Sequence, residues 1–179
     1  DLHRYAALGD EGVLALLSDS TNAERPGYTP SEKTVGAVLD KKIGEADGRI
    51  VVATFASSIP RLQQTVDAAF KHGRKVAIQG RSMVNVFAIA QELGYLIVPE
   101  GLLIDVDDIG RLPANRVMVI TTGSQGEPLA ALSRMAAGDH RKIDIGPGDT
   151  VIISATPIPG NEKLVSKTIN SLLKKGAHV

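Results

Sequence analysis

Four short polar strings in this chain share one composition and one setting. They are Thr54-Phe-Ala-Ser57-Ser58, Gln79-Gly-Arg81-Ser82, Thr121-Thr122-Gly-Ser124-Gln125-Gly126 and Ser154-Ala-Thr156. Each follows an apolar run and leads into a helical pattern. At a helix start the free N–H groups and the dipole favour an anion. Hydroxyls, glycines, an amide and one guanidinium gathered there are what a phosphate-binding surface needs. The same residues have a plainer use, because Ser and Thr cap helices and Gly makes turns. For any single string the plainer use is the better account. Four strings on one rim, one of them Gly-Ser-Gln-Gly, favour a phosphate site. No G-x-G-x-x-G follows the first strand and no Walker lysine loop occurs, so a dinucleotide site or a P-loop ATPase is poorly supported.

Other chemistry is thinly represented. The chain of 179 residues has no cysteine, which excludes disulfides, Cys-zinc sites and thiol nucleophiles, and fits a reducing compartment. Its histidines are His3, His72, His140 and His178, without metal-ligand spacing. Each reads as a surface residue, with His72 favoured by a helix C-terminus. Asp19 begins Asp-Ser-Thr-Asn after an apolar run, and by spacing alone it caps its own loop. Twenty basic residues balance twenty acidic ones, which argues against a globally basic nucleic-acid binder but leaves room for a local basic groove. Aromatic residues are only 3%, so any nucleic acid would be gripped by phosphate and sugar rather than by base stacking. No apolar run reaches transmembrane length, and no signal peptide opens the chain.

The elements that must position these strings alternate strand and helix. Apolar runs predict strands at 13–19, 50–55, 75–79, 116–122 and 150–155, with shorter ones at 95–99 and 102–105. Thr29-Pro30-Ser31-Glu32 reads as a capping box opening a helix with Val35, Val38, Leu39 and Ile43. Further helices start at Pro60, at Ser82 as N-cap, at Pro128 and at Asn161. Their stripes are Leu62, Val66, Ala69 and Phe70; Met83, Val86, Phe87 and Ala90; Leu129, Leu132 and Met135; and Val165, Ile169, Leu172 and Leu173. Asp105-Val-Asp-Asp108 is turn and cap chemistry, and 177–179 opens a further strand. Strands apolar throughout, alternating with helices, predict an α/β fold with a largely parallel sheet flanked by helices. In such sheets ligands bind beyond the carboxyl ends of the strands, where the four strings lie.

Several strings resemble the family of ribonuclease J. They are Leu16-Leu-Ser-Asp19-Ser-Thr-Asn-Ala-Glu-Arg-Pro-Gly27, Val52-Ala-Thr-Phe-Ala-Ser57, Gly80-Arg-Ser-Met-Val-Asn85, Thr121-Thr-Gly-Ser-Gln-Gly-Glu-Pro128 and Pro157-Ile-Pro-Gly-Asn-Glu162. They occur in that family's order and span nearly the whole chain. In the family a β-CASP domain is inserted into a metallo-β-lactamase domain. The resemblance implies that residues 1–28 end the first metallo-β-lactamase half and that 29–179 are the β-CASP domain. It also implies a cytoplasmic, metal-dependent ribonuclease of RNA processing and decay. Such an enzyme is both an endonuclease and a 5′-to-3′ exonuclease, with two zinc ions in the intact protein. Its partner is single-stranded RNA, preferably with a 5′-monophosphate. The intact protein is expected to form homo-oligomers.

Residue by residue, Asp19 matches the acidic residue of the first β-CASP motif, which orients a catalytic histidine beside the metals. That reverses the capping reading of Asp19. Ser124, with the N–H groups of Gln125 and Gly126, matches a segment near the 5′-phosphate pocket. Arg81, Ser82 and Asn85 match the border of the RNA channel, although Ser82 also serves as a plain N-cap. The family's H-x-H-x-D-H metal motif and its later Ser-Gly-His-Ala segment are not in this sequence. The chain is therefore expected to be a piece that alone neither binds the metal pair nor cleaves RNA. Ser57-Ser58-Ile59-Pro60 stands where the family often has Ser-Asn-Ile-His, which puts an RNA contact from that loop in doubt. A competing reading is a free-standing α/β module that binds a nucleotide or other phosphorylated ligand without catalysis. A third is a purely structural domain, against which an exposed Gly-Ser-Gln-Gly loop would count.

Overall fold

The computed structural model describes residues 2–20, 23–24 and 26–179. Contacts divide the chain into one unit ending at Pro30 and a second from Ser31 to Val179.

The first unit holds helix α1, Leu2–Glu11, which has no buried residue. Residues 13–19 form no strand, contrary to the apolar pattern. Leu14, Leu16 and Leu17 are fully or nearly fully exposed in irregular backbone. A strand exists through its ladder of hydrogen bonds, and this unit offers no second strand among the described residues.

The second unit is α/β. Helix α2, Glu32–Glu45, leads to strand β1, Ile50–Ala53, and helix α3, Ile59–Lys71. Strand β2, Lys75–Gln79, leads to α4, Arg81–Glu92. Strand β3, Val117–Thr121, leads to α5, Ala131–Ala137. Strand β4, Thr150–Ile153, leads to α6, Glu162–Lys174. The sheet has the order β2-β3-β1-β4 and every pair is parallel. Isolated parallel bridges extend both edges, Leu103 beside Val76 and His178 beside Thr150.

Strand side chains alternate between two apolar layers, as a pleated backbone requires. Ile50, Val52, Met118 and Ile120 pack under α2, α3 and α4. Val51, Ala53, Val117 and Val119 pack under α5 and α6. Both faces are covered, so the strands can be apolar throughout.

Helix starts depart from the sequence reading in three places. Ser31, not Thr29, caps α2, its side chain accepting from the Lys33 N–H at 3.3 Å. Thr29 precedes a proline, which disfavours helical backbone there. Gly80, with φ +97°, stands at the N-cap of α4, so Ser82 lies inside the helix. A side chain at 80 would collide with the Thr122 hydroxyl, so the turn is made where only glycine fits. Pro128 opens a turn rather than a helix. Leu129 is exposed, and α5 begins only at Ala131, with the Leu132 N–H of its first turn donating to the Thr122 carbonyl at 3.1 Å. Segments 95–99 and 102–105 form no strands beyond the Leu103 bridge, because Pro99 and Gly101 break the run.

Polar side chains complete the helix-to-sheet joins. His72 is half-buried rather than a plain surface residue, and its Nε2 lies 2.9 Å from Asp40 on α2. Hydrogen bonds from Lys71 and His72 hold the Asp40 carboxyl below its usual pKa. Arg74 is buried at the amino end of the sheet. It donates to the Gly48 carbonyl at 2.7 Å and to that of Ala46, and reaches those of Ile43 and Val117 at 3.5 Å. It thereby satisfies carbonyls that the end of α2 leaves open. Burial lowers the Arg74 pKa, but an arginine stays charged.

Arg74→Ala would strand these acceptors, and a loss of about 2–4 kcal/mol is expected from the denaturation midpoint. His140 supplies a pH test. Its Nδ1 accepts from the Ile143 and Lys142 N–H groups at 3.1 and 3.3 Å, so the fold needs that nitrogen unprotonated. Burial, then Arg134 and Lys142, hold its pKa below 6.5. Its contribution is therefore complete above pH 6.5 and is lost as pH falls from there through the folded value. A His140→Gln variant should show a flatter stability profile than the parent across that window.

Candidate functional site

The parallel register places all four polar strings on one edge of the sheet. Ala53 pairs with Thr121 and with Ile153, and Thr121 pairs with Gln79. Along the rim the order is Gly80, Thr122, Thr54, Ser154. Strand β1 leads to α3 on one face, while its neighbours β3 and β4 lead to α5 and α6 on the other. Divergence of this kind at the carboxyl ends marks the usual ligand position in such sheets.

The 122–126 loop is not an exposed cradle. Gly123, Ser124, Gln125 and Gly126 are all buried, with Ser124 and Gln125 each 2% exposed. Gly126 has φ +71°, and a Cβ there would lie 2.5 Å from the Leu164 carbonyl carbon. That glycine is required so that the loop can press against α6. The Gln125 side chain ties the loop to the next connector. It donates to the Thr156 carbonyl at 3.1 Å and accepts from the Ile158 N–H at 2.8 Å and the Asn161 amide at 3.4 Å.

This geometry changes the role expected of two residues. The Gln125 N–H points to the Glu127 carboxylate at 3.2 Å, and the Gly126 N–H to the Gly123 carbonyl at 3.1 Å. Neither is a free donor for a phosphate in this state, and Glu127 adds a negative charge beside the loop. Ser124 differs. Its hydroxyl makes no hydrogen bond among the described residues. The Thr54 hydroxyl, on the adjacent strand end, is fully buried and also without a partner. A buried hydroxyl without a partner, such as that of Thr54, is unusual, because buried polar groups are normally paired.

Arg81, Ser82 and Asn85 share the outward side of the first turns of α4 and are exposed. The structure gives Arg81 no carboxylate partner among the described residues. Asp19 lies in the first unit, exposed in irregular backbone rather than at the end of a buried strand. Among the described residues no group of three or more His, Asp or Glu side chains could hold a metal ion. No helix among them is long and apolar enough to cross a membrane.

One rim residue was not foreseen. Arg61, in the first turn of α3, donates to the Ser154 carbonyl at 2.8 Å and to its hydroxyl at 3.2 Å. Its other nitrogens form a two-pronged pair with Glu32 on α2. A cation is disfavoured by the dipole at a helix start. That mismatch was the signal in the sequence that Arg61 serves a specific contact.

Fold and rim define a class: a parallel α/β domain with a polar rim at a topological switch point. Residues 47–172 match the family described as "Ribonuclease J, beta-CASP domain". The chain is 48% identical over 179 residues to "Ribonuclease J2" of Bacillus subtilis, covering 100% of this chain and 32% of that protein. It is 53% identical over 179 residues to "Ribonuclease J 1" of Streptococcus pyogenes, with coverage of 100% and 32%. "Ribonuclease J" of Thermus thermophilus is 52% identical over 178 residues, with coverage of 99% and 31%. The chain belongs to the ribonuclease J family and carries its β-CASP domain. It spans about a third of the length of these relatives.

Gln125→Ala should leave the Ile158 N–H and the Thr156 carbonyl without partners. A loss of about 1–3 kcal/mol is expected in chemical denaturation, together with faster proteolytic cleavage within 156–161.

Proposed function

We propose that this chain is the RNA-gripping part of a longer ribonuclease of processing and decay, acting on single-stranded RNA. Membership of the ribonuclease J family supports an RNA role. The observation that carries the reading is the Ser124 side chain, which makes no hydrogen bond among the described residues, beside the buried unpaired hydroxyl of Thr54 at the shared strand-end rim. Hydroxyls can donate to a phosphate oxygen where the backbone N–H groups of this loop are already engaged. Arg81, Ser82 and Asn85, exposed in a row beside the same rim, would hold the following backbone phosphates and sugars.

Residues 1–28 are read as the end of a metallo-β-lactamase half, and Asp19 as the residue that orients a histidine of that half. Two zinc ions would supply an activated water for attack on the phosphodiester. On this reading their ligands would come from the metallo-β-lactamase part of the enzyme. We place the intact protein in the cytoplasm as a homo-oligomer, with both endonuclease and 5′-to-3′ exonuclease modes. This chain alone is then inactive.

The test uses the full-length protein with RNA carrying either a 5′-monophosphate or a 5′-hydroxyl. Ser124→Ala should reduce the preference for the monophosphate by about tenfold, the worth of one hydrogen bond to a charged group. Arg81→Ala should instead weaken both RNAs alike and lower the salt slope by about 0.7, the value for one lost phosphate contact. Unchanged discrimination in the Ser124 variant would place the pocket elsewhere. Tight, salt-insensitive binding of mononucleotides would favour the small-ligand module.

A further inference from the structure

The outward face of α6 carries a row of cations that the fold does not use. Lys163, Ser166, Lys167, Asn170 and Lys174 fall within one stripe of the helix, since each residue advances by about 100°. Together with Ser171, and with Glu162 at its upper end, they line a shallow depression along it. Lys163, Lys167 and Lys174 are exposed, and none lies within ion-pair distance of a carboxylate among the described residues.

Most lysines elsewhere in this fold behave differently, Lys33 and Lys75 being the exceptions without a carboxylate partner among the described residues. Lys41 and Lys42 pair with Glu45, Lys71 with Asp40, Lys142 with Asp107 and Lys175 with Asp144. On α2 the acid and the bases stand at helical spacing, the ordinary pattern of a solvated face. In α6 the only acid is Glu162, in the first turn, where it accepts from the Gly160 N–H at 2.8 Å. The stripe beyond it mixes ammonium groups with hydroxyls and an amide and contains no carboxylate. The whole chain is neutral, so this is a local positive surface and not part of a general excess.

The stripe also has a direction. The N-cap of α6, Asn161, bonds to Gln125 in the rim loop. From there the helix runs away from the rim, and Gly176 beyond its end sits against Pro147 at the opposite edge of the sheet. Lys163 to Lys174 span roughly 16 Å at the helical rise. The row thus begins beside the rim and leads down the layer that lies across the sheet from Arg81.

We infer that the Lys163–Lys167–Lys174 face of α6 is a second track for the sugar–phosphate backbone of single-stranded RNA. It is reached only by strands long enough to extend beyond the rim, and it grips them without regard to sequence. Lysines act as point charges on phosphates, and Ser166 and Asn170 supply the uncharged hydrogen bonds between them. The inference rests on the RNA reading above.

The test is binding of 5′-monophosphorylated single-stranded RNAs of graded length to the full-length protein, over a range of salt. The variant is Lys163→Gln with Lys167→Gln and Lys174→Gln. Short RNAs should bind the parent and the variant equally. Long RNAs should bind the variant more weakly, with the slope of log affinity against log salt reduced by about 2 for three phosphate contacts. Length dependence in the parent that persists unchanged in the variant overturns the α6 track and leaves the RNA reading standing. Absence of RNA binding by the parent overturns both. A variant that keeps its RNA affinity but loses binding to polyglutamate would assign the face to an acidic protein instead, which also overturns the track.

Discussion

Everything at the rim depends on parallel pairing in one register. Four strands hydrogen-bonded side by side in the same direction must release their chains at the same edge. Ala53, Gln79, Thr121 and Ile153 end level with one another, so the polar residues that follow them become neighbours despite a separation of about a hundred positions in sequence. The apolar pattern of β1 and β3 is the energetic reason. Side chains that point alternately into two helix-covered layers remove both faces of the strands from water.

That arrangement leaves a polar edge which must be held in shape, and two side chains do so. Gln125 joins the 122–126 loop to the 156–161 connector, and Arg61 joins β4 to α2 through Ser154 and Glu32. Each fixes two segments with one side chain, so the rim is bordered by backbone that is already hydrogen-bonded. The hydroxyls of Thr54 and Ser124 stand apart from this network. The rim therefore combines saturated structural bonds with one buried hydroxyl, that of Thr54, that has no partner.

The glycines of the loop serve packing. Gly80 lets the start of α4 approach Thr122, and Gly126 lets the loop approach the backbone of α6. A methyl group would strike the Thr122 side chain at position 80 and the backbone of Leu164 and Val165 at position 126. Close approach brings the start of α6, with its row of lysines, against the rim loop.

The sequence by itself determined the layers. Apolar runs of strand length and helical stripes such as Leu62, Val66 and Ala69 are set by the period of the backbone, which is local. It also determined the family, because Thr121–Pro128 and its companion strings keep their identity whatever surrounds them. It did not determine whether 13–19 is a strand, since a strand needs a partner. It did not place the N-cap of α4 at Gly80, nor show that the Gly-Ser-Gln-Gly loop is buried. Those outcomes depend on contacts with Thr122 and Leu164, residues far along the chain. Tertiary structure alone decided which N–H groups stay free, because a donor's availability depends on which acceptors lie near it.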